Sequence, residues 1–276
     1  MTKTKLTGGL GNQMFQYATG LSAALKTNEE LFLDLTYYTQ QPSKDTLRTF
    51  ELTPFNITHT KTNIITETIW DKIKRKIKNR LMSGHQFLYD KNFFEKENLI
   101  GYFQNEKYFT SIRNTILKEF SLKIESPQFK ETKEYIKKTK TVSLHIRRGD
   151  YIENPHASKH HGVLPFSYYK KAYDTISTKI GSDFTLLIFT DDSKWVEKNI
   201  TLHEETHTIS GNELTSAEEL ILMSLCTHNI IANSSFSWWG AWLNQNPDKI
   251  VIAPKQWTRN KTSNELDVLP EGWIQL

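Results

Sequence analysis

The sequence is short of the features that would take it out of the ordinary globular class. Among 276 residues there is one cysteine, Cys226, so no intramolecular disulfide can form; its neighbours Leu225 and Ile230 predict a buried thiol in a reducing compartment. No apolar run approaches the roughly 20 residues that a spanning helix requires. The opening residues 1–6 are polar and lack the apolar stretch of a secretory signal, which predicts a cytoplasmic protein. There is no Gly-Lys-Ser/Thr, hence no Walker loop, and no internal repeat or low-complexity tract. The net charge of +4 comes without the basic stripe of a nucleic-acid protein. It suits a protein that binds anions such as nucleotide phosphates, or one that works beside an acidic membrane face.

What is present is a large core-forming fraction, 37% apolar and 12% aromatic, which excludes disorder as the main state. The periodicities predict a strand over 2–7, a glycine turn, a helix over 12–26 with Phe15, Ala18, Leu21 and Leu25 on one face, and a strand over 30–35. Residues 36–63 read as loop with little regular structure. A helix over 67–81 carries Trp70, Ile73, Ile77 and Leu81 on one face and lysines and arginines elsewhere; it suits a solvated surface or an anionic membrane face. Helices are also expected over 109–120 and 129–138. The Lys137–Lys140 run reads as a joint, which gives domains of 1–139 and 140–276. Beyond it, strands over 141–146, 184–189, 229–232 and 249–253 alternate with helices over 167–180, 193–199, 216–226 and 237–244. That alternation implies an α/β fold with a parallel sheet covered on both faces. Ligands of such sheets sit beyond the carboxyl ends of the strands, where Gly8, His145, Thr190 and Asn233 fall.

Four motifs lie at those ends. His145-Ile146-Arg147-Arg148-Gly149-Asp150-Tyr151 puts two adjacent arginines directly after a strand, costly without an anion to pair with. An arginine fork suits a phosphate oxygen pair. Neighbours on extended chain point opposite ways, so one arginine can meet a ligand while the other pairs inward, with Asp150 a candidate partner; a cluster that only ties a loop is the plainer reading. Gly8-Gly9-Leu10-Gly11-Asn12-Gln13 lets backbone amides approach phosphate or sugar, or is a plain tight turn. Asp34 at the next strand's end invites a dinucleotide reading, but Met14 stands where the third glycine belongs. Asn233-Ser234-Ser235-Phe236-Ser237-Trp238-Trp239-Gly240 opens a helix with more hydroxyls than one N-cap needs, with the tryptophans as core or lid. Thr190-Asp191-Asp192 fits a metal pair or, more commonly, a helix cap. His156, His160 and His161 lie in a loop bounded by Pro155 and Gly162, where zinc spacing does not apply; acceptor binding or proton transfer by His161 fits better.

In these motifs the chain resembles the bacterial α-1,2-fucosyltransferases, family 11 of the glycosyltransferases. The resemblance runs through Gly8–Gln16, Gly101-Tyr102-Phe103-Gln104-Asn105-Glu106-Lys107-Tyr108-Phe109, His145–Tyr151, His161-Gly162-Val163, Thr190-Asp191-Asp192, Glu218-Glu219-Leu220 with Leu222-Met223-Ser224, and Asn233–Gly240. It implies a GT-B fold, two Rossmann-like domains about a cleft, the first on the acceptor side and the second binding GDP-fucose. It implies an inverting transfer of L-fucose from GDP-fucose to the 2-hydroxyl of galactose on an oligosaccharide or glycolipid, without metal or other cofactor. No Asp-x-Asp is present to hold a cation on a diphosphate, in keeping with that. By motif, Arg147 would hold the diphosphate, His145 lie near the guanine, and Asn233, Ser234, Ser235 and Phe236 complete the phosphate site. Glu219, with Glu218 the alternate, would read the guanine N–H edge, and Gly9, Leu10, Gly11 and Asn12 would face the fucosyl phosphate. The family pattern usually has Asp at the Glu219 position and often Ser at the Thr190 position. Asp150 and then His161 are the candidates for general base, Asp150 equally for orienting Arg148. A nucleotide-cofactor oxidoreductase and a non-catalytic carbohydrate-binding protein, suggested by the seven tryptophans, are the rival readings.

Overall fold

The computed structural model describes residues 1–41, 46–63, 89–154, 158, 161–211 and 213–276. The basic helix expected over 67–81, with its membrane reading, and His156 and His160 lie outside these residues. Contacts divide the chain into two units. The first holds Met1–Ser43, Leu47–Ser121 and Leu266–Val268; the second holds Lys44–Thr46, Leu122–Glu265 and Leu269–Leu276.

In the first unit β1 (Thr2–Lys5) leads through the glycine turn into α1 (Leu10–Thr27), then β2 (Leu31–Asp34), β3 (Thr60–Asn63) and β4 (Asn98–Leu99), with α2 (Arg113–Glu119) after them. The strands are parallel in the order β3-β2-β1-β4. Helix α1 lies close on this sheet because Gly20 has no side chain: a Cβ there would collide with Thr4 and Leu31. So the close helix–strand approach that a third fingerprint glycine allows is served here two turns later.

The second unit begins with α3 (Pro127–Lys138), capped by Ser126, whose Oγ accepts from the Phe129 N–H. The sequence placed a joint at 139/140, but this helix packs on α7 (Ser216–Leu225) and belongs with the second unit. There follow β5 (Thr141–Ile146), α4 (Gly149–Glu153), α5 (Phe166–Ile180), β6 (Thr185–Thr190), α6 (Ser193–Asn199), β7 (Thr206–Thr208), α7, β8 (His228–Ile230), α8 (Ser235–Leu243) and β9 (Val251–Ala253). A short hairpin, β10 (Gln256–Thr258) and β11 (Lys261–Thr262), precedes β12 (Ile274–Gln275). The six-stranded sheet is parallel throughout, in the order β12-β9-β8-β5-β6-β7. Strands β5 and β6 are buried at every residue, as expected of central strands covered on both faces.

These orders carry information. Counted in sequence order within its unit, the second sheet reads 3-2-1-4-5-6 and the first reads 3-2-1-4, the doubly wound order of nucleotide-binding folds. In such a sheet the crevice lies where the winding reverses, beyond the carboxyl ends of the first and fourth strands. That point falls between β5 and β8 in the second unit, and between β1 and β4 in the first. Each of the four strand ends leads into one of the motifs read from the sequence.

Candidate functional site

The second unit places His145-Ile146-Arg147-Arg148 and Asn233-Ser234-Ser235-Phe236 on the two sides of its switch point. His145 is the last residue but one of β5, with 3% of its surface exposed and its ring 5.5 Å from that of Phe236. Burial first, and then the charge of Arg147, push its pKa down to about 3, so the imidazole is neutral near pH 7. Its Nδ1 is buried with no hydrogen-bond partner among the described residues, and so is Oδ1 of Asn233 across the switch point. A buried polar atom left unsatisfied costs about 1–3 kcal/mol, so each needs an explanation, and a polar ligand in the crevice supplies one.

Both arginines pair with the two aspartates that follow β6. Arg148 pairs with Asp192: its Nε lies 3.2 Å from Asp192 Oδ2, and its guanidinium stacks 4.0 Å over Trp195. Arg147 lies 2.9 Å from Asp191 Oδ2 and 5.6 Å from the centre of the Tyr151 ring. Asp191 Oδ1 also accepts from the Arg148 backbone N–H at 2.8 Å. Asp192 caps α6 through the Trp195 N–H at 3.0 Å. The Asp pair is therefore an arginine clamp and a helix cap at once. Among the described residues no cluster of His, Cys, Asp and Glu is arranged to hold a metal.

At the start of α8, Ser234 is the N-cap, accepting from the Phe236 N–H at 3.4 Å. Ser237 turns back to the carbonyls of Ala232 and Ser234, leaving Ser235 the half-buried hydroxyl of the three. The tryptophans that follow are core: Trp238 and Trp239 are fully buried and pack with Trp242 and Trp273. The Asn233 amide donates to the carbonyls of His161, Gly162 and Trp257 at 3.1–3.3 Å. His161 stacks flat on Tyr151, centroids 4.8 Å apart, and the Tyr151 hydroxyl donates to the Asn233 carbonyl. Asp150 lies on α4 with its side chain outside what is described.

Glu218 and Glu219 separate cleanly. Glu218 completes a capping box with Thr215, and its Oε1 accepts from the Ser126 N–H at 2.9 Å, so its carboxylate ties α7 to α3. Glu219 accepts from Ser210 Oγ at 2.8 Å, and Ser210 in turn accepts from the Thr190 N–H at the end of β6. Burial raises the Glu219 pKa. It is the carboxylate tied to the carboxyl edge of the sheet.

In the first unit the glycine turn explains its own sequence. Gly8 has φ +76, a conformation that favours glycine, and a Cβ on Gly8 would come within 2.7 Å of Asn12 Nδ2. Gly9 is the N-cap of α1, and Leu10 and Gly11 begin the helix as buried residues. The amides of Asn12, Gln13 and Gln16 each hold a different segment. Gln13 donates to the carbonyls of Gly8 and Thr49 and accepts from the Glu51 N–H. Gln16 accepts from the Thr7 N–H and donates to Thr7 Oγ1 and the Gly101 carbonyl. Asn12 Oδ1 accepts from Gln104 Nε2 at 2.9 Å. Asp34, read as a ribose ligand in the oxidoreductase alternative, accepts from the Thr36 N–H.

The family model of glycosyl transferase family 11 matches residues 1–276. The chain belongs to glycosyltransferase family 11. It is 37% identical to the O-antigen biosynthesis glycosyltransferase WbnK of Escherichia coli, over 98% of this chain and 99% of that one. It is 34% identical to an alpha-1,2-colitosyltransferase of Escherichia coli, over 99% and 97%. It is 25% identical to galactoside alpha-(1,2)-fucosyltransferase 1 of Mus musculus, over 86% and 61%. Among the described residues no helix is long and apolar enough to cross a membrane.

Proposed function

We propose that this family 11 enzyme transfers L-fucose from GDP-fucose to the 2-hydroxyl of a galactose residue, with inversion and without a metal. The two parallel-sheet units are the halves of a GT-B enzyme. The observation that carries the reading is the second unit's switch point: Arg147 on one side, the α8 N-terminus on the other, and a buried orphan polar atom beside each. Helix amides and an arginine fork do for a diphosphate the electrostatic work a cation does elsewhere.

In this mechanism the bond from the fucosyl C1 to the phosphate oxygen breaks as the acceptor O2 bonds to C1 from the opposite face. Arg147, Ser235 and the first amides of α8 stabilise the departing GDP. Neutral His145 and Asn233 hold the nucleotide by hydrogen bonds, Glu219 accepts from the guanine N–H edge, and Gly9–Asn12 meet the fucosyl phosphate. The acceptor proton passes to Asp150 or His161. His161 is held for such work by Asn233 and Tyr151.

The 34% identity with a colitosyltransferase supports a second donor, since colitose is fucose without its 3-hydroxyl. Against the oxidoreductase alternative stands the missing third glycine, and Asp34 Oδ1 serves the fold by accepting from the Thr36 amide. The carbohydrate-binding alternative has fewer platforms than its tryptophan count suggests: among the described residues Trp238, Trp239, Trp242 and Trp257 are buried and Trp195 lies under Arg148, which leaves the partly buried Trp273. Titration calorimetry with GDP, UDP and NAD tests the reading. Binding of GDP in preference to both others is expected; binding of NAD in preference to GDP overturns it.

A further inference from the structure

The segment Gly101–Phe109 resembles the family pattern yet has no part in the chemistry above. In the first unit it leaves β4, and so lies on the far side of the β1/β4 switch point from the glycine turn. Its backbone is strained: Phe103 has φ 51, rare for a bulky side chain. Strain of that kind persists only where the surroundings hold it and is concentrated at functional positions. The holders are visible. Gln16 fixes the Gly101 carbonyl, the Phe103 ring packs edge-on to Tyr108, and the Asn105 amide clasps Asp267 through its carbonyl and carboxylate. Between these anchors stands Gln104, 8% exposed, its Nε2 donating to Asn12 Oδ1.

We infer that Gln104 is a positioning residue that sets the orientation of the Asn12 amide, so that Nδ2, the donor, is the group turned over the Gly8-Gly9 turn. This rests on the proposal that Asn12 faces the sugar phosphate. An amide has two ends of nearly equal shape, so in the free enzyme an asparagine with no fixed partner presents its carbonyl over the turn as readily as its NH2, and phosphate binding must then turn it. With Oδ1 occupied by Gln104, the Nδ2 donor lies over Gly8, within 2.7 Å of where a Cβ would stand. A donor there stabilises negative charge as it gathers on the phosphate; an acceptor there repels it.

The variant Gln104→Glu keeps shape and replaces the donor by a carboxylate, which draws Asn12 Nδ2 to itself and turns Oδ1 to the ligand. In the intact enzyme kcat/KM for the nucleotide sugar is expected to fall about 10- to 100-fold, and the Kd for GDP, whose terminal phosphate carries that charge in full, should rise with it, while the Kd for guanosine stays within about twofold. In an Asn12→Ala background the same change should have almost no further effect. Transfer by Gln104→Glu within about threefold of wild type overturns the inference, and so does an equal loss in the Asn12→Ala background. Should Gln104→Glu lower the Tm by more than about 5 °C, Asn12→Asp serves instead: it keeps an acceptor for Gln104 and removes the donor, so the same loss is expected and near-normal transfer overturns the inference. A wild-type enzyme that transfers neither fucose nor colitose overturns the donor reading and this inference together; an active wild type with an indifferent Gln104→Glu overturns this inference alone.

Discussion

Replacing Arg147 by alanine separates a ligand contact from a structural ion pair. The Arg147 and Asp191 side chains are 21% and 24% exposed, so their pairing is only partly screened and breaking it costs about 1–3 kcal/mol of stability. In a chain of 276 residues each kcal/mol is a Tm change of roughly 2–4 °C. A charge-assisted contact to a diphosphate in a preorganised site is worth roughly 3 kcal/mol, or about a 100-fold change in Kd. Arg147→Ala should therefore weaken GDP about 100-fold by calorimetry in a protein that still unfolds cooperatively. Guanosine, which has no phosphates, serves as the internal control, and its affinity should stay the same. The loss should also abolish transfer, because charge on the departing diphosphate would go unanswered. GDP affinity within about threefold of wild type, or an equal loss for GDP and guanosine, would refute the reasoning and return Arg147 to the role of loop tie.

Further outcomes follow from the same geometry. Glu218→Ala should cost about 2 kcal/mol in urea unfolding, through the lost capping box and Ser126 contact, and leave GDP affinity unchanged; Glu219→Gln should do the reverse, weakening GDP but not UDP. Because burial raises the Glu219 pKa and the ionised form accepts from guanine, GDP affinity should decline on acidification from a higher pH than an ordinary carboxylate would give, a dependence that Glu219→Gln removes in calorimetric pH titrations. For His145 the folded pKa of about 3 lies below the ordinary histidine value of 6.5, so the unfolded chain takes up a proton first. Stability should fall by about 1.4 kcal/mol per pH unit on acidification below that ordinary value, and His145→Gln should flatten the slope in denaturant titrations. The Cys226 thiol, pushed up to about 12 by burial, should react with a thiol reagent only after unfolding, and rapid reaction of the native protein would contradict its placement.

The elements that were readable in the sequence are those whose burial is written in their composition. Strand β5 was expected at its observed bounds and β6 within one residue, because Thr-Val-Ser-Leu-His-Ile and Thr-Leu-Leu-Ile-Phe-Thr suit a central parallel strand. Helix α1 showed through its apolar face, though its start at Leu10 rather than Asn12 depends on Gly9 acting as a cap without a side chain. What escaped were edge strands of two to four residues. Thr60–Asn63, read as loop, joins the first sheet with a wholly polar sequence, and Thr206–Thr208 and Ile274–Gln275 are too short for any periodicity to show. Their strand state comes from a neighbour's hydrogen bonds, which no local pattern encodes.

The candidate site divides in the same way. The motifs at the strand ends were legible, because glycines, paired arginines and serines before a helix each have a local cause. Their partners were not. Arg148 finds Asp192 from 44 residues away and Asn12 finds Gln104 from 92, and it was the strand order that brought them together. One local signal does separate the two acids: Thr215-x-x-Glu218 is a capping box in the sequence, which marks Glu218 as structural and makes Glu219 the candidate of the pair.

The central claim is tested most directly by incubating the purified enzyme with GDP-fucose and a panel of β-galactosides, following GDP release, and assigning the product linkage by NMR. The account predicts GDP release that depends on the galactoside and a single new α-linked fucose on O2 of galactose, formed in the presence of a metal chelator. Transfer that requires a divalent cation, linkage to another hydroxyl, or no transfer to any galactoside would contradict it.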